Sequence, residues 1–255
     1  MDFFGYYTID DPAKHPFMMF STTHLLFIIL IICCLYLGLK VSKDYPEEKI
    51  KKIEKIVSAS LIFGEFIYYI WNIFKCPYPI FTEILPLHLC SICIWTSFLA
   101  FWLDNEKLRH FIAVNNMLGA LIALCYPATV ASINQTFSYR VIYFFISHGT
   151  ITFMGVMQLR QLKSLSFQDL KFNIPLLAFL TTIAMGVNYF LHSDYLFVGF
   201  PSSIPIIQMI YNSVGILFYL PVAILIFSIL EILMLFILKN ILQFIYHRQR
   251  NIILN

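Results

Sequence analysis

The residues best suited to covalent chemistry sit in two short strings, Leu85-Pro86-Leu87-His88-Leu89-Cys90-Ser91 and Phe145-Ile146-Ser147-His148-Gly149. A cysteine attacks as its thiolate, and a histidine is the side chain that most readily takes a thiol proton near neutral pH. Cys90 is therefore the candidate nucleophile. On an unbroken helix, positions 88 and 90 lie about 200° apart, so His88 could serve Cys90 only if the turn after Pro86 is irregular. The base is expected from another helix, and His148, beside the small residues Ser147, Gly149 and Thr150, is the candidate. The same region offers a second chemistry. Cys90-Ser91-Ile92-Cys93 has the C-x-x-C spacing of thiol–disulfide exchange, a reaction that would need Cys93 as much as Cys90. A tetrahedral metal set from His88, Cys90, Cys93 and His148 is disfavoured, because His-x-Cys on a regular helix points its ligands apart. No metal and no cofactor is expected.

These residues are carried by an unusually apolar chain. Of its 255 residues, 60% are hydrophobic and 12% charged, against roughly 25% charged in an ordinary soluble domain. The apolar residues form long blocks of the kind that span a bilayer as helices. The expected fold class is all-α: a polytopic membrane protein of seven transmembrane helices in one domain. The blocks run over about 24–39, 56–74, 84–103, 108–126, 139–159, 172–191 and 206–238. Pro86 falls in the first turn of the third block, where its missing amide costs least. A basic linker covers 40–55, and Glu47–Ser58 reads as an amphipathic lead-in lying at the membrane interface. The N-terminus has no basic n-region of a secretory signal.

The basic residues orient this bundle. With the N-terminus outside and the C-terminus cytoplasmic, only Lys14, Lys75 and Arg140 of the 17 Lys and Arg residues fall outside. Every cytoplasmic loop is then basic, as the positive-inside bias requires. Polar groups within the hydrocarbon are costly and face a bundle interior or a wet cavity. Counted down each helix at about 1.5 Å per residue, His24, Glu65, His88, His148, Asn188 and Asn212 fall at overlapping depths in the outer half. They are the candidates to bind substrate or to orient the Cys90–His148 pair. Asn115 and Asn116 lie near the inner end and read as structural. Asn134-Gln135-Thr136 matches a glycosylation sequon in an outside loop.

The strings LPLHLCS and FISHG, with Asn188-Tyr189 and Tyr195-Leu196-Phe197 further on, resemble those of the YwaF family of bacterial integral membrane proteins. That family is related to the transmembrane protein 164 acyltransferases, and the resemblance extends over nearly the whole chain. It implies a membrane-embedded lipid acyltransferase, or an acyl hydrolase, working through an acyl-thioester on Cys90 with His148 as base. It further implies a phospholipid or lysophospholipid substrate and a place in the bacterial plasma membrane, with no nucleic-acid partner. The chain departs from the family pattern at Gly199-Phe200-Pro201-Ser202-Ser203, where Gly-Pro-Trp-Pro is expected, and at Asn115-Asn116, where aromatic residues are usual. Two other functions are compatible with the residues: a membrane thiol–disulfide oxidoreductase using Cys90 and Cys93, and a non-enzymatic lipid or small-molecule transporter or receptor. The acyl donor and acceptor, the balance of transfer against hydrolysis, and the oligomeric state are not legible.

Overall fold

The computed structural model describes residues 2–162, 164–199 and 204–254, with side chains up to residue 244. Among the described residues there are seven α-helices: α1 Thr22–Val41, α2 Glu47–Lys75, α3 Leu89–Trp102, α4 Glu106–Cys125, α5 Tyr139–Leu162, α6 Leu170–Leu191 and α7 Pro205–Leu254. Six are long and apolar enough to cross a membrane, while α3 has only 14 residues. The chain is a multi-pass membrane protein of the all-helical class. Successive helices run in opposite directions. The end holding Thr22, Leu89 and Tyr139 is called the upper end below, and the end holding Val41, Trp102 and Leu162 the lower.

Local chemistry sets most helix ends. Ser21 caps α1 by accepting from the His24 amide, and Asn105 caps α4 by accepting from Leu108. Pro127 stops α4 by forcing Tyr126 out of helical conformation. Three boundaries differ from the sequence reading, the first being the end of α7, which runs on to Leu254 and past the expected 238. The lead-in at Glu47–Ser58 is no separate interfacial segment but the first turns of α2, which starts at Glu47 with acids in its first turn, where they complement the helix dipole. The third segment begins at Leu89, not Ile84. Pro86 therefore precedes the helix instead of sitting in its first turn.

α4 is the central column. From Phe111 to Ala120 it is buried at nearly every position, as a helix surrounded by other helices must be. α3 and α5 pack along it on either side, α2 closes over both, and α6 and α7 cover its remaining face. α1 is peripheral, touching α5 and presenting most of its surface outward. Small residues let the backbones approach, as is usual between membrane helices. A Cβ on Gly155 of α5 would stand 3.1 Å from Asn116 of α4.

A buried ionic network ties the lower ends together. Arg109 of α4 donates to Glu54 of α2 at 3.1 Å, to Gln158 of α5 at 3.2 Å and to Asp104 at 3.0 Å. Gln158 and Gln161 also donate to Glu54. The Arg109 guanidinium lies over the Phe101 ring and holds the exposed Asp104 carboxyl below its usual range. The upper end is closed differently. Residues 2–20 fold back over the α4–α5 loop: the Phe17 amide donates to the Asn134 carbonyl at 2.7 Å and the Ser132 amide to the Phe17 carbonyl at 2.7 Å. Asn134 is fully buried in this cap, so the sequon asparagine is not on an accessible loop surface.

Removing one partner of a buried ion pair strands the other charge. Arg109→Met should therefore cost about 3–5 kcal/mol, whereas Lys51→Met, at a residue that pairs only with the exposed Glu47 and Asp104, should stay within about 0.5 kcal/mol. Denaturant unfolding in detergent, followed by tryptophan fluorescence, reads both. Equal midpoints for the two variants would show that the network does not hold the lower end.

Candidate functional site

The site begins with the break before α3. His88 is the N-cap residue, extended at φ −77° and ψ 147°, and its side chain caps nothing. The geometric bar between His88 and Cys90 therefore does not apply, because only Cys90 is in the helix. The His88 ring is nevertheless engaged, lying 5.2 Å from the Tyr195 ring and 5.4 Å from Phe197. Cys90 occupies the second position of α3. The amides of Leu89, Cys90 and Ser91 donate to no described residue, and the first amide of this turn to be bonded is that of Ile92, to the His88 carbonyl. The first three amides of α3 are thus unpaired, as at any helix start, and form the positive end of its dipole at the turn that carries Cys90.

The turns and bends that precede α3 are held by a residue from the other half of the chain. Tyr195 is fully buried, and its hydroxyl accepts from the Leu85 amide at 3.0 Å and donates to the Phe81 carbonyl at 2.8 Å. Asn188, near the end of α6, fixes Tyr195 in turn. It accepts from the Tyr195 amide at 2.8 Å and donates to the Tyr195 carbonyl at 2.9 Å. Leu196 and Phe197 follow with φ of 54° and 57°, a left-handed conformation costing about 1–3 kcal/mol per residue. The burial of Tyr195, Leu196 and Val198 offsets that cost. Asn188 is therefore a clamp with both ends of its amide in use. The spacing of Asn188 to Tyr195 was visible in the sequence, but the role of Tyr195 was not.

Around Cys90 the helices meet closely. Gly119 of α4 makes the room: a Cβ there would stand 3.1 Å from Leu89 and 3.7 Å from Cys90 Sγ. Next door, Ser91 donates to Glu65 of α2 at 3.3 Å. On α5, the buried His148 ring stacks on Phe144 at 4.1 Å, and its Nδ1 lies 2.6 Å from the Phe144 carbonyl oxygen. A carbonyl only accepts, so Nδ1 carries the proton and Nε2 keeps its lone pair. Nε2 is hydrogen-bonded to no described residue. The neutral His148 ring would thus present an unbonded accepting nitrogen.

Helix register places these groups in one layer. Gly155 abuts Asn116 on the antiparallel α4, so His148, two turns earlier on α5, stands level with Ala123. Cys90 abuts Gly119, which is four residues, or about 6 Å, from Ala123 along α4. The Tyr68–Tyr143 stack and the Glu54–Gln158 bond bring Glu65 level with the same part of α5. Glu65, Cys90 and His148 therefore lie within roughly 9 Å of one another along the bundle axis, on three helices. No hydrogen bond joins Cys90 to His148 among the described residues. The other candidates stand apart. His24 has both nitrogens occupied, Nδ1 accepting from the Phe20 amide at 3.0 Å and Nε2 donating to the Leu124 carbonyl at 2.9 Å. Asn212 is exposed on α7 and bonded to Gln208. Asn116 bonds Ser97 across the α3–α4 interface at 3.1 Å, a structural part. No three His, Cys, Asp or Glu side chains converge as a metal set among the described residues.

A model of the TMEM164 family matches residues 19–239. The chain belongs to the TMEM164 family. The match runs from the turn before α1 to the lower part of α7, so every group of the layer lies within it. As a TMEM164-family member, the chain is a membrane protein of a lipid-related family. No curated protein and no solved structure matches it.

Tyr195→Phe tests the clamp. It strands the Leu85 amide and the Phe81 carbonyl, at a cost of about 1–3 kcal/mol. In a chain with Cys33, Cys34, Cys76 and Cys125 replaced by serine, the substitution should speed maleimide labelling of Cys90. An unchanged labelling rate would mean that the segment preceding α3 does not depend on Tyr195.

Proposed function

We propose that this TMEM164-family member is a membrane-embedded lipid acyltransferase or acyl hydrolase, with Cys90 as nucleophile and His148 as general base. The observation that carries the reading is the free accepting nitrogen of His148 in the layer that holds Cys90 and three unbonded amides. In the reaction, His148 Nε2 takes the Cys90 thiol proton while Sγ bonds to the carbonyl carbon of a lipid acyl ester. The amides at the start of α3 receive the charge that develops on the carbonyl oxygen. The C–O bond then breaks, and the proton passes from Nε2 to the departing hydroxyl, leaving an acyl-thioester on Cys90. A second lipid hydroxyl, or water, resolves the thioester by the same steps. Glu65 orients the first turn of α3 through Ser91, and Asn188, through Tyr195, orients the segment that leads into it.

The substrate assigned on this reading is a phospholipid or lysophospholipid that enters from the bilayer. The bacterial YwaF branch of the family, the bacterial plasma membrane and an N-terminus outside the cytoplasm complete the proposal. They rest on the two sequence strings and on the basic residues of the lower end. Thiol–disulfide exchange is the poorer fit, because Cys93 is fully buried between helices and an exchanging thiol must be reached by its partner.

An acyl-chain probe that reports thioester formation separates the two chemistries. Cys90→Ala should abolish labelling, and His148→Gln should slow it by about 10²–10⁴-fold. Cys93→Ala should label at close to the parent rate, whereas full labelling of Cys90→Ala would sink the mechanism.

A further inference from the structure

The segment before α1 reaches across the upper end of the bundle, and its two halves are held differently. Residues 13–20 are anchored: Phe17 is fully buried, and the Ala13 and Phe17 amides donate to the Ile133 and Asn134 carbonyls at 2.9 and 2.7 Å. Residues 2–7 rest on scattered contacts. The Phe3 carbonyl accepts from the Tyr139 amide that opens α5 at 2.8 Å, and the Phe4 carbonyl accepts from Trp71 Nε1 of α2 at 3.1 Å. Tyr7 donates to Gln135 at 2.9 Å. Tyr6 stacks on Trp71 at 5.1 Å, and its hydroxyl accepts from the Cys76 thiol at 3.3 Å. The Arg140 guanidinium of α5 lies 5.4 Å from the Tyr6 ring and 3.9 Å from the carboxylate of Glu83, in the chain that leads to α3. Between the two halves, residues 9–12 are exposed.

The socket of Tyr6 is thus built from the upper ends of α2, of α5 and of the chain entering α3, the elements that carry Glu65, His148 and Cys90 below. Trp71 stands six residues above Glu65 and Arg140 eight above His148, a height of about 9–12 Å. Stacked rings fill that height between α2 and α5: Trp71, Tyr68, Tyr143 and Tyr139 lie 5.2–5.9 Å apart in sequence of contact. We propose that residues 2–7 are a flap, latched by Tyr6 and hinged on residues 8–12, that closes the upper aqueous end of the bundle over Cys90. Closed, it keeps bulk water from an acyl-thioester. Opened, it admits water, whose oxygen bonds to the acyl carbon while the C–S bond breaks and one water proton passes to the sulfur. This consequence rests on the proposed Cys90 reaction; the closure itself does not.

The test uses the full chain in detergent, with Cys33, Cys34, Cys76 and Cys125 replaced by serine; Cys76→Ser keeps a donor for Tyr6. Cys90 is labelled with uncharged N-ethylmaleimide or with a trimethylammonium methanethiosulfonate, which stays in water. Each rate is divided by that of the same reagent with glutathione, and the Cys90→Ala chain supplies the background. The charged reagent should be the slower by far. Tyr6→Ala should speed it about tenfold, as loss of one ring stack and one hydrogen bond predicts. Tyr6→Phe should speed it less, and the uncharged rate should hold steady. Equal normalised rates in the unsubstituted Tyr6 chain would overturn the flap, even if no variant folds. So would a charged rate that Tyr6→Ala leaves unchanged. With the acyl-chain probe, Tyr6→Ala should lose its label to water faster than the Tyr6 chain. Slow charged labelling of Cys90 without any acyl label would uphold the closure and strike the Cys90 reaction instead.

Discussion

A helix buried on every side constrains all that surrounds it, and α4 is such a helix. Its neighbours can approach only where side chains are small, and its polar groups must be met by protein. Gly119 admits Leu89 and Cys90, Asn116 meets Ser97, and Arg109 anchors the lower end to α2 and α5. These contacts fix the heights of α3 and α5 along one axis. The layer shared by Cys90 and His148 follows from those heights, since neither residue touches the other directly.

The late start of α3 answers a second constraint. A helix of 14 residues rises about 21 Å, short of the roughly 30 Å hydrocarbon core. The chain covers the remaining depth as non-helical turns and bends, which are tolerated at membrane depth only where protein satisfies their amides. Tyr195 does this at Leu85. Beginning the helix one residue before Cys90 also leaves unbonded amides beside the thiol, something a helix starting at Ile84 would not have done.

The apolar blocks were legible because length and hydropathy are local properties. Seven helices emerge near where the sequence puts them, and Pro127 ends α4 as its chemistry requires. What was hidden depends on partners distant in sequence. Glu54 falls in the amphipathic lead-in and Arg109 among the cytoplasmic basic residues, yet each is buried because the other is present, 55 positions away. Depth was readable for Asn212 and rotation was not, so an outward-facing residue joined the candidates. His24 and Asn188 were rightly noticed as buried polar groups, but only their bonds reveal that both are already engaged.

The contact between Tyr195 and Leu85 joins residues 110 positions apart. In the order of synthesis, α3 is therefore made well before the residue that completes its upper end. The nascent first half inserts with Cys90 on an unfinished segment, its Leu85 amide lacking its final partner until α6 and the loop beyond it have emerged. Assembly of the candidate site is thus among the last events in the birth of the chain, and a truncated product ending before Tyr195 would carry the thiol without the site.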